Sequence, residues 1–261
     1  MWIGGYLSDL PADNLDIYLA SLAVALVCGA GNAFNDFVDV ESDRINHPDR
    51  PLPSGKLKLY TAVLASFLMA LFSLIPAAFA GLDILVVILI LHIVLFLYSA
   101  LLKKIILVGN LTVAVAGAAP FFIGGLTAGK AAVTAVPGIW IPGLFAFVFH
   151  FGRELVKDIN DLDGDNMGRT KTLPAVINPQ NSLIVTTIVM AVLIGLTLLP
   201  LYFHWYRQFY ALTALLLVDL PLVIVLIYMW ISKDERRFRF AGSIFKLLML
   251  FGLIAFVGGK I

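Results

Sequence analysis

The sequence predicts an all-α bundle of membrane-spanning helices. Of the 261 residues, 61% are hydrophobic and only 13% are charged, whereas a soluble domain carries about a quarter charged residues. The mean hydropathy of +0.96 is typical of a chain that lies mostly in lipid or inside a bundle of apolar helices. We therefore expect residues 1–261 to form one membrane-embedded domain.

Eight apolar stretches of the sequence are long enough to cross a bilayer, which takes about 20 residues. Backbone polar groups in lipid must be paired within the segment, so each stretch is expected to be a helix. The predicted spans are 15–38, 59–80, 82–101, 105–127, 134–152, 182–202, 208–231 and 241–259. Residues 1–7 are apolar but too short to span, and they resemble the remnant of a truncated first helix.

Basic residues are concentrated in alternate loops of this bundle. Fourteen of the eighteen Lys and Arg residues lie in loops 39–58, 102–104, 153–181 and 232–240. The positive-inside rule places these loops in the cytoplasm and predicts a multi-pass protein of the cell membrane. The net charge of +1 gives no reason to expect a nucleic-acid partner, and the single cysteine excludes an internal disulfide.

Two acidic segments with the same spacing lie where predicted spans enter the two long cytoplasmic loops. The pattern D-x-x-D-x-x-x-D occurs twice, offset by 122 residues, at Asp36, Asp39 and Asp43 and at Asp158, Asp161 and Asp165. Such a repeat suggests two pseudo-symmetric halves, about 1–127 and 128–261, with a site between them.

Each acidic segment predicts a stripe of carboxylates, since positions i, i+3 and i+7 share one face of a helix. Asn32 and Asn35 extend the first stripe by one turn as neutral oxygen donors. Clustered carboxylates repel one another unless a cation neutralises them. Magnesium (Mg²⁺) accepts one or two carboxylates together with substrate phosphate oxygens. The spacing therefore predicts a magnesium-bound diphosphate at the cytoplasmic face, with Asn35 and the six aspartates as metal ligands and the aspartates as catalytic residues.

Basic side chains near these helix ends are candidates for binding the diphosphate beside Asn35. They are Arg44, Arg50, Lys103, Arg153, Lys157 and Lys171. Each of them could equally bind anionic membrane lipids, and a solvated acidic loop paired with these cations is the alternative to a metal site. Asp219 lies deep in the seventh span, two residues before Pro221, which favours a pocket role or a hydrogen bond to a neighbouring helix.

Four motifs resemble those of the UbiA-type superfamily of membrane prenyltransferases. They are Asn35-Asp36-x-x-Asp39-x-x-x-Asp43, Asp158-x-x-Asp161-x-x-x-Asp165, Tyr98-Ser99-x-x-Leu102-Lys103 and Gly109-Asn110-Leu-Thr-Val-Ala. The resemblance covers about residues 14–259 and adds Tyr98 and Asn110 to the pocket candidates. Segments 44–55, 152–158 and 171–174 are most similar to the archaeal digeranylgeranylglyceryl phosphate synthases.

The resemblance implies a nine-helix fold, of which this chain lacks most of the first helix. It also implies magnesium-dependent transfer of a prenyl group from a prenyl diphosphate. If the protein is such a synthase, the donor is geranylgeranyl diphosphate and the acceptor is the lipid phosphate geranylgeranylglyceryl phosphate. The product is then an ether lipid. Alternatives are a prenyltransferase acting on 4-hydroxybenzoate or a quinone precursor, a haem-farnesylating relative and, in another class, a divalent-cation transporter.

Overall fold

The computed structural model describes residues 1–11, 13–162, 171–232, 234 and 236–260. Within these residues the chain is helical, and the one β-type contact is an isolated bridge between Tyr206 and Lys260. The predicted all-α class is confirmed.

The described helices are numbered in chain order. They are α1 (Trp2–Leu7), α2 (Leu15–Val38), α3 (Val40–Asn46), α4 (Leu59–Ala80), α5 (Leu82–Ala100), α6 (Val108–Thr127), α7 (Lys130–Thr134), α8 (Trp140–Asn160), α9 (Leu173–Ile177), α10 (Pro179–Thr197), α11 (Leu199–Tyr202), α12 (Gln208–Thr213), α13 (Leu220–Ile231) and α14 (Arg237–Gly259). A 3-10 turn, Leu102–Lys104, precedes α6, and a π-helical segment, Ala214–Asp219, joins α12 to α13.

Seven helical segments in the described part of the chain are long and apolar enough to cross a membrane. The eighth long helix, α8, has 21 residues, but the stretch from residue 153 to its end carries Arg153, Glu154, Lys157 and Asp158. The predicted multi-pass helix bundle is confirmed, whereas the number of eight spans stays a prediction.

Helix α8 extends further than its predicted span, which ends at residue 152. The helix continues to Asn160 because its charged end packs against protein instead of lipid. Glu154, Leu155 and Asp158 are all buried in this stretch. Asp158 therefore lies in the helix itself and not in the loop that follows.

The two largest apolar clusters among the described residues lie in different halves of the chain. The first is built by α2, α4, α5 and α6 around Val27, Ile84 and Ile123, and the second by α8, α10, α13 and α14 around Met190 and Phe245. Helices α6 and α8 pack against each other and so join the two clusters. The first acidic segment follows α2 in the first cluster, and the second lies at the end of α8 in the second cluster. The predicted pseudo-symmetry of the halves stays a prediction.

Polar contacts help to hold these helices together, because lipid offers little hydrophobic driving force for association between apolar helices. The buried Ser66 hydroxyl on α4 donates to the carbonyl oxygen of Ala30 on α2 at 2.8 Å. Thr197 at the end of α10 contacts the Asp219 carboxylate at 2.6 Å. Small polar side chains therefore fix the positions of neighbouring helices relative to each other.

Candidate active site

The two acidic segments line one cavity at the ends of α2 and α8. The cavity has a volume of about 550 Å³, and its lining includes five aspartates and four basic residues. The aspartates are Asp36, Asp39, Asp43, Asp158 and Asp161. The structure therefore brings together two segments that are more than 100 residues apart in the sequence.

The first acidic segment crosses a break between two helices. Helix α2 ends at Val38 and α3 begins at Val40, with Asp39 between them. The backbone hydrogen bonds nevertheless continue through the break, since Asp39 N donates to Asn35 O and Asp43 N donates to Asp39 O, both at 2.8 Å. The three aspartates therefore keep one face, as the i, i+3, i+7 spacing predicts.

Asp39 is held by two side chains within this cavity. The Asn35 amide donates to Asp39 Oδ2 at 2.7 Å, and the Lys103 ammonium donates to Asp39 Oδ1. The same ammonium lies 3.3 Å from Asn35 Oδ1. Lys103, Asn35 and Asp39 thus form one connected polar group in which the positive charge sits at the cavity wall.

Arg50 pairs with the other two carboxylates of the first segment. Its guanidinium donates to Asp43 Oδ2 at 2.7 Å and lies 3.9 Å from Asp36 Oδ1. Asp43 is buried, whereas the Asp36 side chain is 51% exposed. Asp36 is therefore the carboxylate of this segment that is most available to a ligand in the cavity.

Lys103 reaches the cavity because Gly109 allows a close backbone contact. A Cβ added at Gly109 would lie 2.8 Å from Lys103 Cα, closer than side chains normally pack. The 3-10 turn that carries Lys103 can therefore fold down against the start of α6 only when residue 109 has no side chain.

The second acidic segment is held by residues from the first half of the chain. Asp158 Oδ2 accepts a hydrogen bond from the Asn110 amide on α6 at 2.8 Å. The Asp161 carboxylate lies 3.6 Å from the His47 ring and 3.9 Å from the Lys157 ammonium. Asn46 Nδ2 also donates to the Asp161 carbonyl oxygen at 3.0 Å. The end of α3 is thereby attached to the end of α8.

Thirteen of the residues predicted for the site line this cavity. They are Asn32, Asn35, Asp36, Asp39, Asp43, Arg50, Tyr98, Lys103, Asn110, Lys157, Asp158, Asp161 and Lys171. Asp165 falls among residues 163–170, outside the described residues. The placement of the thirteen agrees with the predicted site, and their roles stay predictions.

Three predicted residues are not brought to the cavity. Arg44 is paired with Glu41 at 2.9 Å on an exposed face, since it follows Asp43 directly and points about 100° around the helix from it. Arg153 pairs with the buried carboxylate of Glu154 at 3.1 Å, below the cavity. Asp219 contacts Thr197 on α10, which is the hydrogen bond to a neighbouring helix that the sequence left open.

Several lining residues were not predicted from the sequence. They are Ser42, Asn46, His47, Pro51, Ile105, Gly109 and Thr172. A signal existed for two of them, because Asn46 and His47 lie three and four residues after Asp43 and so continue the same helix face. Ile105 follows the 3-10 turn and Thr172 directly precedes α9, and the spacing of the acidic segments carries no information on either position.

The residues present fit a divalent cation that is shared with a substrate. Among the described residues, no three His, Cys, Asp or Glu side chains are grouped so as to form a complete metal cage. Magnesium usually keeps waters and binds one or two carboxylates together with phosphate oxygens. Half-exposed Asp36 and the acidic surplus of the cavity lining suit that mode of binding.

A separate apolar cavity of about 260 Å³ lies deeper in the bundle. Its wall includes Gly117 of α6 and His150 of α8, about two helical turns from Asn110 and Asp158. Four phenylalanines, Phe121, Phe145, Phe149 and Phe256, also line it. A further apolar cavity of about 490 Å³ lies on another side of α6 and α8, between Ala119, Phe122 and Phe147.

Comparison with known proteins identifies the class of this one. The sequence model of the UbiA prenyltransferase family matches residues 1–251. A digeranylgeranylglyceryl phosphate synthase from Methanosphaera stadtmanae is 31% identical over 245 residues, which is 94% of this chain and 86% of that protein. The protein is thus an intramembrane prenyltransferase.

Solved structures agree with this class. A structure of a digeranylgeranylglyceryl phosphate synthase matches with a TM-score of 0.73 at 29% identity, covering 98% of this chain and 90% of that one. A UbiA homologue from Archaeoglobus fulgidus bound to DMAPP and Mg²⁺ has the same fold, with a TM-score of 0.64 at 16% identity over 98% of this chain and 94% of that one. The chain belongs to the UbiA prenyltransferase family.

Gly109→Ala is expected to lower prenyl transfer by roughly tenfold to 100-fold, because the added methyl group displaces Lys103 from Asp39. Overpacking should also destabilise the protein by about 1–3 kcal/mol. The measurements are the initial rate of product formation and thermal unfolding in detergent. Gly195→Ala on α10 is the matched control, since nothing lies within 4 Å of the added Cβ. Equal rates for the two variants would contradict the positional role of Gly109.

Proposed function

We propose that this protein transfers a prenyl group from a prenyl diphosphate to the free hydroxyl of geranylgeranylglyceryl phosphate, with magnesium as cofactor. The observation that carries the proposal is the pairing of two acidic segments in one cavity that also holds four basic side chains. The names of the synthase relatives favour this acceptor, and geranylgeranyl diphosphate is the donor we propose. We propose that the site lies at the cytoplasmic face, which the excess of basic residues in the loops around the cavity supports.

In this proposal the diphosphate lies between the two acidic segments. Asp36 and Asp39 on one side and Asp158 and Asp161 on the other would hold magnesium, which supplies Lewis-acid stabilisation of the leaving diphosphate. Lys103, from the turn before α6, and Lys171, which directly precedes Thr172 and α9, add positive charge at the cavity wall. These side chains bind and orient the diphosphate before the reaction begins.

The prenyl chain would extend from the acidic cavity along the contact of α6 and α8. The apolar cavity lies in that direction, about two turns deeper on both helices, and its walls are mostly apolar. An apolar environment also excludes water from the reacting carbon, and water would otherwise compete with the acceptor.

The reaction requires one carbon–oxygen bond to break and one to form. The bond between the allylic carbon and the diphosphate oxygen breaks, and its electron pair leaves with the diphosphate. The acceptor hydroxyl oxygen then bonds to that carbon and releases its proton, which gives the ether and free diphosphate. Among the described residues, Ser42 is the one Ser or Cys that lines the acidic cavity. Its hydroxyl donates to the Asp39 carbonyl oxygen and is therefore not activated by a base.

A product assay with purified protein tests this proposal. The protein is incubated with radiolabelled geranylgeranyl diphosphate and magnesium, together with either geranylgeranylglyceryl phosphate or 4-hydroxybenzoate, and the lipids are then separated. We expect labelled ether lipid from the first acceptor only, and loss of that product when EDTA removes the metal. Product from 4-hydroxybenzoate alone would replace this proposal with an aromatic prenyltransferase. Cation flux into liposomes without any product would favour a transporter.

Filling the apolar cavity should change the preference for chain length. Ala146 lines this cavity, and we expect Ala146→Leu to raise the KM for geranylgeranyl diphosphate several-fold while the KM for geranyl diphosphate changes less. The reason is that about three added carbon atoms shorten the space for the far end of the longer chain. Steady-state kinetics with both donors provides the measurement.

The matched control is Ala119→Leu, which makes the same change in the other apolar cavity. We expect it to leave the ratio of the two KM values unchanged. A shift of that ratio by Ala119→Leu and not by Ala146→Leu would assign the donor chain to the cavity beside Phe122 and Phe147 instead.

A further inference from the structure

A second polar cavity lies beside the acidic cavity, where the segment after α3 comes close to the first turn of α14. It has a volume of about 400 Å³. Asn46, His47 and Arg50 line both cavities, so the two share a wall. The second cavity also contains Asp49 from the α3–α4 connection and Arg239 from α14. It is therefore a neighbour of the diphosphate site and not a part of its acidic lining.

The charge of the second cavity is opposite to that of the acidic one. Two guanidinium groups, from Arg50 and Arg239, and the His47 ring accompany one carboxylate, from Asp49. Arg50 is already engaged by Asp43 at 2.7 Å. In the described portion of the chain, Arg239 has no ion pair and no side-chain hydrogen bond. Its five N–H donors are thus available to an anion that enters the cavity.

We infer that this cavity binds the phosphate group of a phosphomonoester acceptor, with Arg239 as the main ligand. The planar fork of an arginine matches phosphate oxygens and can bind two of them at once. Arg50 adds a second guanidinium on the side shared with the acidic cavity, and the His47 ring, which can donate a hydrogen bond, lies beside it. The inference rests on the proposed function, because it adds a subsite for the acceptor of that reaction.

The position of the cavity suits the chemistry of a phosphoglyceryl acceptor. In such a molecule the free hydroxyl is only a few bonds from the phosphate group. A phosphate held far from the diphosphate would leave the hydroxyl out of reach of the reacting carbon. The shared wall of Asn46, His47 and Arg50 puts the two anionic groups next to each other while keeping a positive side chain between them.

The same chemistry is present in anionic lipid headgroups, which also carry a phosphate and gather near basic residues at a membrane surface. The two sources differ in what they should affect. An acceptor subsite should change the KM for the phosphorylated acceptor alone, whereas a lipid site should change the response of the enzyme to anionic lipid with every acceptor.

The experiment compares two acceptors in the intact enzyme. Initial rates are measured with geranylgeranylglyceryl phosphate and with geranylgeranylglycerol, which lacks the phosphate, in vesicles of phosphatidylcholine with and without phosphatidylglycerol. We expect Arg239→Ala to raise the KM for the phosphorylated acceptor about tenfold or more, since hydrogen bonds to charged groups are the strong ones. The KM values for geranylgeranylglycerol and for the donor should not change. Arg239→Lys should recover part of the loss.

Arg236→Ala is the matched control, because Arg236 is an exposed arginine three residues earlier that does not line the cavity. We expect it to behave as the unmodified enzyme. An unchanged acceptor KM in Arg239→Ala would overturn the inference, as would an equal effect of Arg239→Ala on both acceptors or an effect that appears only with phosphatidylglycerol. Failure of the unmodified enzyme to use either acceptor would instead overturn the proposed function itself.

Discussion

Asp39→Asn and Asp161→Asn are each expected to lower kcat roughly 100-fold or more. The two carboxylates lie on opposite acidic segments of the same cavity, and asparagine keeps their shape while removing the charge that a magnesium ion needs. A loss of about 3 kcal/mol of transition-state stabilisation corresponds to a factor of about 100 in rate. The magnesium concentration that gives half-maximal rate should rise in both variants. Steady-state rates across a magnesium titration provide both quantities.

Glu41→Gln is the control for this experiment, since Glu41 belongs to the same acidic stretch but pairs with Arg44 on an exposed face. Its rate and magnesium dependence should stay within about twofold of the unmodified enzyme, because exposed ion pairs contribute little. The double variant Asp39→Asn/Asp161→Asn should lose less than the product of the two single losses, since residues that act as a unit are not additive. Full activity of either single variant would contradict the proposed role of its carboxylate.

Lys103→Met is expected to lower kcat by about 100-fold with a smaller change in the KM for the donor. The Lys103 ammonium contacts Asp39 and Asn35, and its side chain is only 11% exposed. A charge in such a partly enclosed place stabilises the leaving diphosphate more than a charge in water would. Methionine keeps most of the length of the side chain and removes the ammonium group, so the loss mainly reports the charge.

The adjacent residue offers a close control for this substitution. Lys104 belongs to the same 3-10 turn but is exposed and does not line the acidic cavity. Lys104→Met should therefore retain nearly full activity. Lys103→Arg should recover part of the rate, because it restores the charge with a different shape. Equal losses of rate in Lys103→Met and Lys104→Met would contradict a specific role of Lys103. They would show that the two lysines affect the rate only through the net charge at this membrane face.

Local rules were sufficient to predict much of the site. The i, i+3, i+7 spacing placed each set of aspartates on one helix face, and the alternation of loop charges placed both sets at the same end of the bundle. Both rules depend on interactions between near neighbours in the chain or on the membrane itself. For this reason the cavity, with Asp39, Lys103 and Asp161 among its lining, could be anticipated before any tertiary contact was known.

The rest depended on contacts between distant segments. Asn46 binds the carbonyl of Asp161, which is 115 residues away, and nothing in the spacing of either segment indicates that pair. Arg153 was expected at the site because it shares a helix end with Asp161, but it pairs with the Glu154 carboxylate and does not line the cavity. The end of α8 was placed eight residues too early, because hydropathy cannot distinguish a charged helical turn inside protein from a loop in water.

The charged end of α8 has a consequence for how the protein is made. A charged residue costs about 2.5–3.5 kcal/mol when a helix carrying it is inserted alone at the centre of the bilayer. The charged residues of α8 lie near one end of the helix, where the cost is smaller, and their partners lower it further, since Arg153 pairs with Glu154 and the Asn110 amide on α6 donates to Asp158. Stable insertion of α8 into the membrane should therefore depend on α6 being inserted before it. The order of synthesis allows this, because α6 precedes α8 in the chain. A truncated chain that contains α8 without α6 should be a poor membrane protein, even though the helix has the length to span.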